Sequence, residues 1–436
     1  MRFRTFALAL LLPAVLSPQE SPDPAPEIVV LKAARLFDGR SDAAVAKGVV
    51  IVEDGTIKGV GAGLSIPAGA RVIDLGDATL LPGLIDAHTH IAFESSDNWL
   101  QGTMEGFRRT VPESAIRASE HARRTLLAGF TTVRDVGSNE YIDVGLRNAI
   151  DAGVVPGPRL QVAVHSLGAR GGHCDESGFP YGRFGKETGV EDGIASGADQ
   201  FRDAVRFQVK YGADVIKICA TGGVLSLADE VDTPQLTQEE MNAIVEEAHR
   251  LRKKVAAHAH GAEGAKVAIR AGVDSIEHGS FLDDEALRMM KERDTYLVPT
   301  LLAGEYVAGR AAIRHYPPEI EAKAKAAVAM RSDMFRKAVR MGVKIAFGTD
   351  SAVSPHGINA QEFALMVDLG MKPGAALRSA TSAAADLLGL SRTVGSLERG
   401  KMADVIAVPG DPLADIKAME KVIFVMKGGQ VFRNDR

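Results

Sequence analysis

The sequence has little cysteine and no excess of positive charge. Its two cysteines, Cys174 and Cys219, are too few for a small scaffold held by disulfides, and their spacing matches no zinc knuckle. A disulfide between them is one alternative, but we expect buried free thiols. The 51 lysines and arginines are outnumbered by 56 aspartates and glutamates and form no long basic block, so no nucleic-acid partner is expected.

Long apolar runs and two common hydrolase motifs are also absent. Outside the N terminus no apolar run approaches the ~20 residues that span a bilayer. Neither Gly-x-Ser-x-Gly nor His-Glu-x-x-His occurs, which disfavours serine hydrolases and zincins. Residues 1–21 have a basic start and a short apolar run from Phe6 to Leu16, which predicts a signal peptide and the start of a linker. We therefore expect a periplasmic or secreted protein with no membrane contact after signal removal.

Short strand-like segments with turn signals lie at both ends of the remaining chain. Residues 22–78 contain Asp54-Gly55 and residues 393–436 contain Gly428-Gly429, dipeptides typical of tight hairpins. We predict that these two segments pair into one small composite β-sandwich domain. Residues 79–392 are predicted to form the domain between them.

In the central domain, apolar strand-like runs alternate with amphipathic helices. The eight runs are residues 79–91, 130–137, 159–168, 214–223, 254–261, 274–280, 296–303 and 343–352. Eight is the number that a closed parallel barrel requires, and a doubly wound sheet is the alternative. Polar residues end nearly every run, as in barrel active sites, so we predict an α/β fold built on a (β/α)8 TIM-like barrel. Thr237 and Glu240 predict a capping box, and residues 317–341 predict the longest helix.

Histidines and one aspartate recur at the ends of these runs. His88 and His90 are two residues apart, so in a strand both side chains point to one face and can bind one metal. His258, His278 and Asp350 end the fifth, sixth and eighth runs, and in a barrel all these positions converge at the C-terminal mouth. Four imidazoles and a carboxylate exceed the three protein ligands of one catalytic zinc, which predicts two divalent ions.

Lys217 ends the fourth run. By itself it would be interpreted as a buried lysine paired with an acid. Next to two cations, however, a neutral or carboxylated amine is favoured over an ammonium group, because the metals repel its charge. A carbamate formed with CO2 has two oxygens that can bridge two ions.

With these ligands the sequence resembles the amidohydrolase superfamily in its binuclear form with a carboxylated lysine. The resemblance covers almost the whole chain after the signal, in LFDG (36–39), LLPGLIDAHTH (80–90), GFTTVRDVG (129–137), GGH (171–173), IEHGS (276–280), FGTD (347–350) and GSLERGKMADVIAV (395–408). The segments ATGGV (220–224), VAAHAHG (255–261) and HGINAQE (356–362) are similar to imidazolonepropionase-related, Xaa-Pro dipeptidase-like members. Those members include carboxypeptidase-type enzymes and ochratoxin-degrading amidases.

The resemblance implies a role for each ligand. His88, His90 and Asp350 would bind the more buried ion. His258 and His278 would bind the second ion, and carboxylated Lys217 would bridge the two. The nucleophile would be a metal-bridging hydroxide, with Asp350 taking its proton and delivering it to the leaving amine. Zinc is the expected metal, although cobalt and manganese accept the same ligands.

Other polar residues near the mouth are candidate substrate contacts. They are His165, His173, Gly222, Gly223, His260 and His356. His165 and His260 are also candidate catalytic residues, and His260, past the predicted strand end, could equally support a metal ligand. The predicted surface histidines are His121, His249 and His315, and the candidate pocket walls are Trp99, Tyr181 and Phe184.

Together these features predict an exported hydrolase that cleaves an amide bond in a dipeptide or an N-acyl amino acid, which is a small-molecule or peptide-like substrate. Cyclic-amide hydrolysis of the hydantoinase or imidazolonepropionase type is the alternative with the same ligands. A non-catalytic interaction protein on this barrel is disfavoured because all six ligands are present. The exact substrate, the signal cleavage site and the oligomeric state stay open, a homo-oligomer included.

Overall fold

The computed structural model describes residues 27–96, 98–175, 187–227 and 229–436. The predicted signal segment and the candidate pocket walls Tyr181 and Phe184 lie outside these residues. The strands are β1 (Ile28–Leu36), β2 (Val45–Glu53), β3 (Thr56–Ala62), β4 (Arg71–Asp74), β5 (Ala78–Pro82), β6 (Leu84–Thr89), β7 (Phe130–Asp135), β8 (Arg159–Val162), β9 (Gly168–Ala169), β10 (Ile194–Ala195), β11 (Val215–Cys219), β12 (Lys254–Gly261), β13 (Ser275–Phe281), β14 (Tyr296–Val298), β15 (Val405–Pro409), β16 (Phe424–Lys427) and β17 (Gln430–Asn434). The helices are α1 (Trp99–Arg108), α2 (Val111–Leu127), α3 (Ile142–Asp151), α4 (Ala198–Lys210), α5 (Gln238–Arg250), α6 (Ala262–Ala271), α7 (Asp284–Glu292), α8 (Leu301–Arg314), α9 (Pro318–Met341), α10 (Gln361–Asp368), α11 (Pro373–Ser379) and α12 (Ser382–Leu387).

Strands from both ends of the chain form one sheet, in the order β17-β16-β15-β5-β1-β2-β3, with β4 paired to β1. The two ends meet where β5 and β15 pair antiparallel. Both hairpin predictions are confirmed, because Asp54-Gly55 joins β2 to β3 and Gly428-Gly429 joins β16 to β17, with φ values of 49°, 71°, 56° and 83°. Two positive φ values are what this two-residue turn requires. The pairing shows that both ends of the chain share one sheet. The predicted β-sandwich, in which the sheet would form two packed layers, and the predicted domain boundaries stay predictions.

The central strands form two parallel sheets, β6-β7-β8 and β11-β12-β13-β14, with helices between successive strands. On one side, a bridge between Leu167 and Ile218 connects the two sheets. On the other side, residues 344–350 hydrogen-bond to both sheets: Ala87 N donates to Phe347 O (2.8 Å) and Ala346 N donates to Leu297 O (3.0 Å). The fold is therefore α/β, and the connected parallel strands bring their carboxyl ends to one side of the central domain.

Two helix predictions are confirmed. Thr237 caps α5 by accepting a hydrogen bond from Glu240 N, while the Glu240 carboxylate accepts one from Thr237 N. Helix α9 begins at Pro318 and ends before Gly342, whose φ of 73° suits glycine at a helix C terminus. No helix in the described part of the chain is both long enough and apolar enough to cross a membrane.

Several predicted runs end at other residues than expected. The third run is a strand only to Val162, since Val164 has a φ of 66° and leaves the ladder. The seventh run stops at Val298, and its last residues begin α8. The eighth run forms isolated bridges at Ile345 and Ser351 and no strand. Strand β12 instead continues to Gly261, so His260 lies within the strand and the prediction that it follows the strand end is wrong.

The prediction of free thiols is wrong, because Cys174 and Cys219 form a disulfide with Cα atoms 5.9 Å apart. Cys219 ends β11, and Cys174 follows the Gly171-Gly172-His173 loop. The bridge between Leu167 and Ile218 brings this loop next to the end of β11. Sequence separation of 45 residues contains no information on that proximity, which is a property of the assembled sheet.

Candidate metal centre

A cavity of about 370 Å³ lies at the carboxyl ends of the parallel strands. Nine of the predicted site residues line it: His88, His90, His165, His173, Lys217, His258, His260, His278 and Asp350. They come from β6, β11, β12, β13 and the segments that follow β6, β8 and β9, and from the eighth run. The remaining wall includes the apolar residues Val224, Leu225, Ala303, Val307, Ala324, Ala327 and Val353 and the charged residues Asp192 and Arg331.

His88, His90 and Asp350 form the first cluster, with one ligand atom from each lying within 4.8 Å of the others. Asp350 Oδ1 lies 3.6 Å from His88 Nε2 and 3.5 Å from His90 Nε2. His88 Nδ1 donates to Glu277 Oε2 (2.7 Å) and His90 Nδ1 donates to Gly137 O (2.9 Å). Each ring therefore leaves the lone pair of Nε2 free, and His88 Nε2 is buried without a hydrogen-bond partner among the described residues. Such an atom fits a metal ligand.

His258, His260 and His278 form the second cluster, again with ligand atoms within 4.8 Å of one another. His258 Nε2 donates to Gly222 O (3.1 Å), which leaves Nδ1 as the acceptor. His260 Nδ1 and His278 Nδ1 are hydrogen-bonded to the hydroxyls of Ser280 (2.8 Å) and Thr300 (2.7 Å). The rings of His88 and His278 have centroids 4.9 Å apart, so the two clusters are adjacent.

Burial keeps these imidazoles neutral, which is the form that binds metals. It lowers the pKa of His90 to about 4 and that of His260 to about 3, and it places the pKa values of His88, His258 and His278 well below the ordinary value. The charge of Lys217 adds to this effect at all five rings.

Lys217 lies within β11, buried, and its side chain lines the same cavity. Burial lowers the pKa of its amine to about 8, although the charges of Glu277 and Asp350 oppose the shift. Burial likewise raises the pKa of Asp350 to about 7 against the charge of Lys217. The low pKa increases the neutral fraction of the amine.

Backbone conformation and buried acids hold the ligands in place. His278 and Asp350 have φ values of 70° and 57°, a left-handed conformation that is uncommon for residues other than glycine and is concentrated at functional sites. Asp86 accepts hydrogen bonds from His88 N (3.1 Å) and from Asn359 Nδ2 (2.8 Å), and it also accepts from Thr349. These contacts join β6 to the eighth run, where Asp350 lies.

Glu277 is a second buried acid that sequence reasoning missed. Besides His88, it accepts from Arg134 Nη2 (2.9 Å), while Arg134 Nε donates to Ala87 O (2.6 Å). Arg134 is thus buried beneath the ligands and does not line the cavity. The alternation of side chains along a strand predicts only that Glu277 and His278 point in different directions. It does not predict which residues Glu277 contacts.

The structure changes the interpretation of three predicted substrate contacts. Gly222 and Gly223 are not part of the cavity lining. Gly222 instead accepts from His258, and a Cβ at Gly223 would lie 2.1 Å from the His173 ring, so these glycines position histidines. His356 is buried outside the cavity, where Nε2 donates to Phe93 O (2.8 Å) and its ring stacks on His121 (4.7 Å between centroids).

The remaining predicted positions divide as follows. His165 and His173 line the cavity, and the ring of His173 stacks on His258 with centroids 4.3 Å apart. His249 and His315 are exposed as predicted. The prediction of a surface position for His121 is wrong, because its ring is buried and Nδ1 donates to Ile91 O (3.0 Å). Trp99 is half-buried at the start of α1 and is not part of the cavity lining.

The chain is similar to several known proteins. Residues 79–432 match the amidohydrolase family. An ochratoxinase from Aspergillus niger is 34% identical over 373 residues, which cover 81% of this chain and 75% of the relative. The crystal structure of a Xaa-Pro dipeptidase with bound methionine in the active site has a TM-score of 0.88 and 41% identity, covering 94% of this chain and 100% of the other. An imidazolonepropionase from Symbiobacterium thermophilum is 26% identical over 352 residues, which cover 77% of this chain and 76% of the relative.

Proposed function

The chain belongs to the amidohydrolase family and is a hydrolase that acts on carbon–nitrogen bonds, and from this premise we propose that it is a binuclear metal-dependent enzyme that cleaves the amide bond of a dipeptide or an N-acyl amino acid. The observation that carries the proposal is the pair of adjacent three-residue clusters in one cavity with Lys217. The ochratoxinase and dipeptidase relatives support the amide class. The methionine in the dipeptidase structure is a free amino acid, which is the kind of product that such a reaction releases.

We also propose that the two parallel sheets close into an eight-stranded barrel. The bridge from Leu167 to Ile218 and the hydrogen bonds of residues 344–350 to both sheets support closure. In such a barrel the carboxyl ends of the strands form the mouth where active sites lie, and the ligand residues occupy those ends.

The donor set fits two divalent ions, preferably zinc. His88, His90 and Asp350 would hold one ion, and His258 and His278 the other, with His260 close enough to take part. Bound there, the ions would acidify a water molecule between them and polarise the scissile carbonyl. Lys217 would bridge them as a carbamate, formed when the neutral Nζ bonds to the carbon of CO2 and releases one proton.

Side chains of the protein would transfer the protons. Asp350 Oδ1 lies next to the Nε2 atoms of His88 and His90, so the Asp350 carboxylate can take a proton from the attacking water and deliver it to the leaving amine. His165 and His173, on loops at the rim, can contact the substrate. Beyond the clusters the cavity wall includes the apolar residues Val224, Leu225 and Val307, against which an apolar part of the substrate can pack.

The test is a panel of dipeptides, N-acyl amino acids and cyclic amides, given to the purified protein loaded with Zn²⁺, with the bound metal measured in the same sample. We expect linear substrates to be hydrolysed. Hydrolysis of cyclic amides alone would establish the alternative, which the imidazolonepropionase relative favours at lower identity. Two bound ions without hydrolysis of any substrate would contradict the amide-hydrolase proposal.

We further propose that the protein is exported to the periplasm or the medium. The disulfide between Cys174 and Cys219 supports this location, because disulfides persist in oxidising compartments. Fractionation of expressing cells, with the mass of the mature chain, tests it. A full-length chain in the cytosol would contradict it.

A further inference from the structure

Arg331 places a buried guanidinium in the wall of the cavity. It belongs to α9, which contains no predicted metal ligand, and it is 4% exposed and lines the cavity. Its Nη2 donates to Glu305 Oε1 (3.0 Å), but the Glu305 side chain is 47% exposed. Arg331 Nε is buried and has no hydrogen-bond partner among the described residues. Glu305 therefore satisfies only part of the guanidinium, which has donors left for a second anionic partner.

Gly304 on α8 makes the space for this guanidinium. A Cβ at position 304 would lie 1.8 Å from Arg331 Nη1, so any larger residue would displace the side chain. The position of the Arg331 guanidinium therefore requires a glycine at position 304 of the neighbouring helix. It is independent of the metal ligands, none of which lies on α8 or α9.

The residues around Arg331 indicate what kind of anionic ligand would fit there. In the described part of the cavity wall, Arg331 and Lys217 are the only lysines or arginines. The wall on this side is apolar, with Ala303, Val307, Ala324 and Val353 in one packed cluster and Val224 and Leu225 against it. A ligand that fits has an apolar group of moderate size and a negative charge.

We propose that Arg331 binds the free carboxylate of the substrate's leaving amino acid, whose apolar side chain lies against this wall. The inference rests on the proposed amide hydrolysis and defines its substrate class as amides of apolar amino acids with a free carboxylate. It adds a guanidinium to the substrate contacts predicted from sequence, which are histidines and the backbone N–H groups of glycines. A guanidinium gives a stronger, charge-assisted hydrogen bond than those neutral donors.

Two variants change the guanidinium of Arg331 in different ways, and a third variant is the control. Arg331→Gln removes the charge, whereas Gly304→Ala keeps the charge and displaces it. Arg336→Gln removes an arginine from the exposed side of the same helix, where Arg336 Nη1 pairs with Asp333. Metal content and circular dichroism are measured for all three, since an intact centre and fold are required for comparison.

The first readout is binding of L-methionine and of L-methioninamide by calorimetry. We expect wild type and Arg336→Gln to prefer the acid by about 10- to 100-fold, the usual worth of a hydrogen bond to a charged group. In Arg331→Gln and Gly304→Ala this preference should fall to within about threefold, with amide binding almost unchanged. A preference that survives in Arg331→Gln, or equal loss of both ligands with metal intact, would overturn the assignment.

The second readout is kcat/KM for a dipeptide with a free C-terminal carboxylate and for its C-terminal amide. The same 10- to 100-fold preference for the acid is expected in wild type, and its loss in Arg331→Gln should come mainly from a higher KM. If wild type cleaves acid and amide equally well, the carboxylate assignment fails while the amide-hydrolase function stands. If neither is cleaved but methionine binding still depends on Arg331, the proposed function fails and the anion site stands.

Discussion

Lys217 differs from the other cavity residues in having a charge that the proposed centre must remove. Its amine is buried and its pKa is lowered to about 8, and it is within electrostatic range of every histidine in both clusters. Lys266 is also buried, but it pairs with Glu263, Asp283 and Glu285 away from the cavity, and its pKa is raised. Desolvation by burial is the main influence on the pKa of Lys217, whereas hydrogen bonds to carboxylates are the main influence on the pKa of Lys266.

Lys217→Ala should therefore lose most bound metal and most activity, because the bridge between the ions is removed. Short carboxylic acids such as acetate or propionate, added at millimolar concentration, should restore part of the activity by replacing the carbamate. Elemental analysis and initial rates measure both effects. Lys266→Ala is the control and should keep its metal, whereas two ions per chain in Lys217→Ala would show that no bridge is needed.

Asp350→Asn separates proton transfer from metal binding. Asparagine has a similar size and still offers one oxygen, but it cannot accept a proton from the attacking water. We expect kcat to fall by about 10²–10⁴-fold, the usual worth of a general acid–base, with a smaller loss of metal. Rates and metal content are measured on the same preparation. Activity within tenfold of wild type would assign the proton to another group, with His260 the first to examine.

At the scale of elements, one half-buried carboxylate connects α5 to the first residues of β12 and β13. Asp274 lies just before β13 and accepts hydrogen bonds from His249 Nε2 (3.0 Å), Lys254 Nζ (2.9 Å) and Val255 N (2.8 Å). Burial alone would raise its pKa, but these donors prevail and lower the pKa from 3.8 to about 2. Since β12 and β13 bear three of the clustered histidines, the start of these strands is held by an interaction outside the cavity.

Asp274→Asn should lower the free energy of unfolding by about 1–2 kcal/mol at pH 7, because it removes the charge that the three donors stabilise. A carboxylate with a depressed pKa contributes its stability above its unfolded pKa, and this contribution is lost as the pH falls. The gap between variant and wild type should therefore close between about pH 4 and pH 2. Urea unfolding at a series of pH values measures this gap.

Asp294→Asn is the matched control, because Asp294 pairs with Lys344 at the surface, where its side chain is 75% exposed. It should change the unfolding free energy little at any pH. A gap for Asp274→Asn that stays constant down to pH 2 would mean that packing, and not charge, is the reason for the destabilisation.

At the scale of the whole molecule, the two clusters connect segments that are distant in sequence. Residues of β6, β12, β13 and the eighth run would contribute the proposed ligands, so bound ions would cross-link the central domain from its first strand to its last segment. A ligand that binds only the folded state stabilises that state in proportion to the logarithm of its concentration. Stability should therefore depend on metal.

Removal of metal by a chelator should abolish activity and lower Tm by several degrees, and Zn²⁺ should restore both. Differential scanning calorimetry and elemental analysis are the measurements, with two ions per chain expected in the active protein. Co²⁺ and Mn²⁺ serve as parallel arms, because both accept the same ligands. Full activity with a single bound ion would contradict a binuclear centre.

The sequence by itself determined the features that depend on neighbouring residues. The two hairpin turns, the Thr237 capping box and helix α9 were all predictable, because turn and cap chemistry acts within a few residues. The ligand residues could be named because polar side chains at the ends of apolar runs are costly unless a site uses them. That nine of the predicted residues share one cavity follows from parallel strands ending on the same side.

Only the tertiary structure decided contacts between residues that are far apart along the chain. No local pattern distinguishes Arg331 from the other arginines of α9, and its place in the cavity wall depends on the room that Gly304 of α8 leaves for its guanidinium. His356 looked like a loop residue near Asp350, yet its ring stacks on His121 outside the cavity. Cys174 and Cys219 meet because the loop after β9 lies next to the end of β11. Composition and periodicity specify which face of an element is buried, but the partner on that face is set by the packing of elements, which no local pattern encodes.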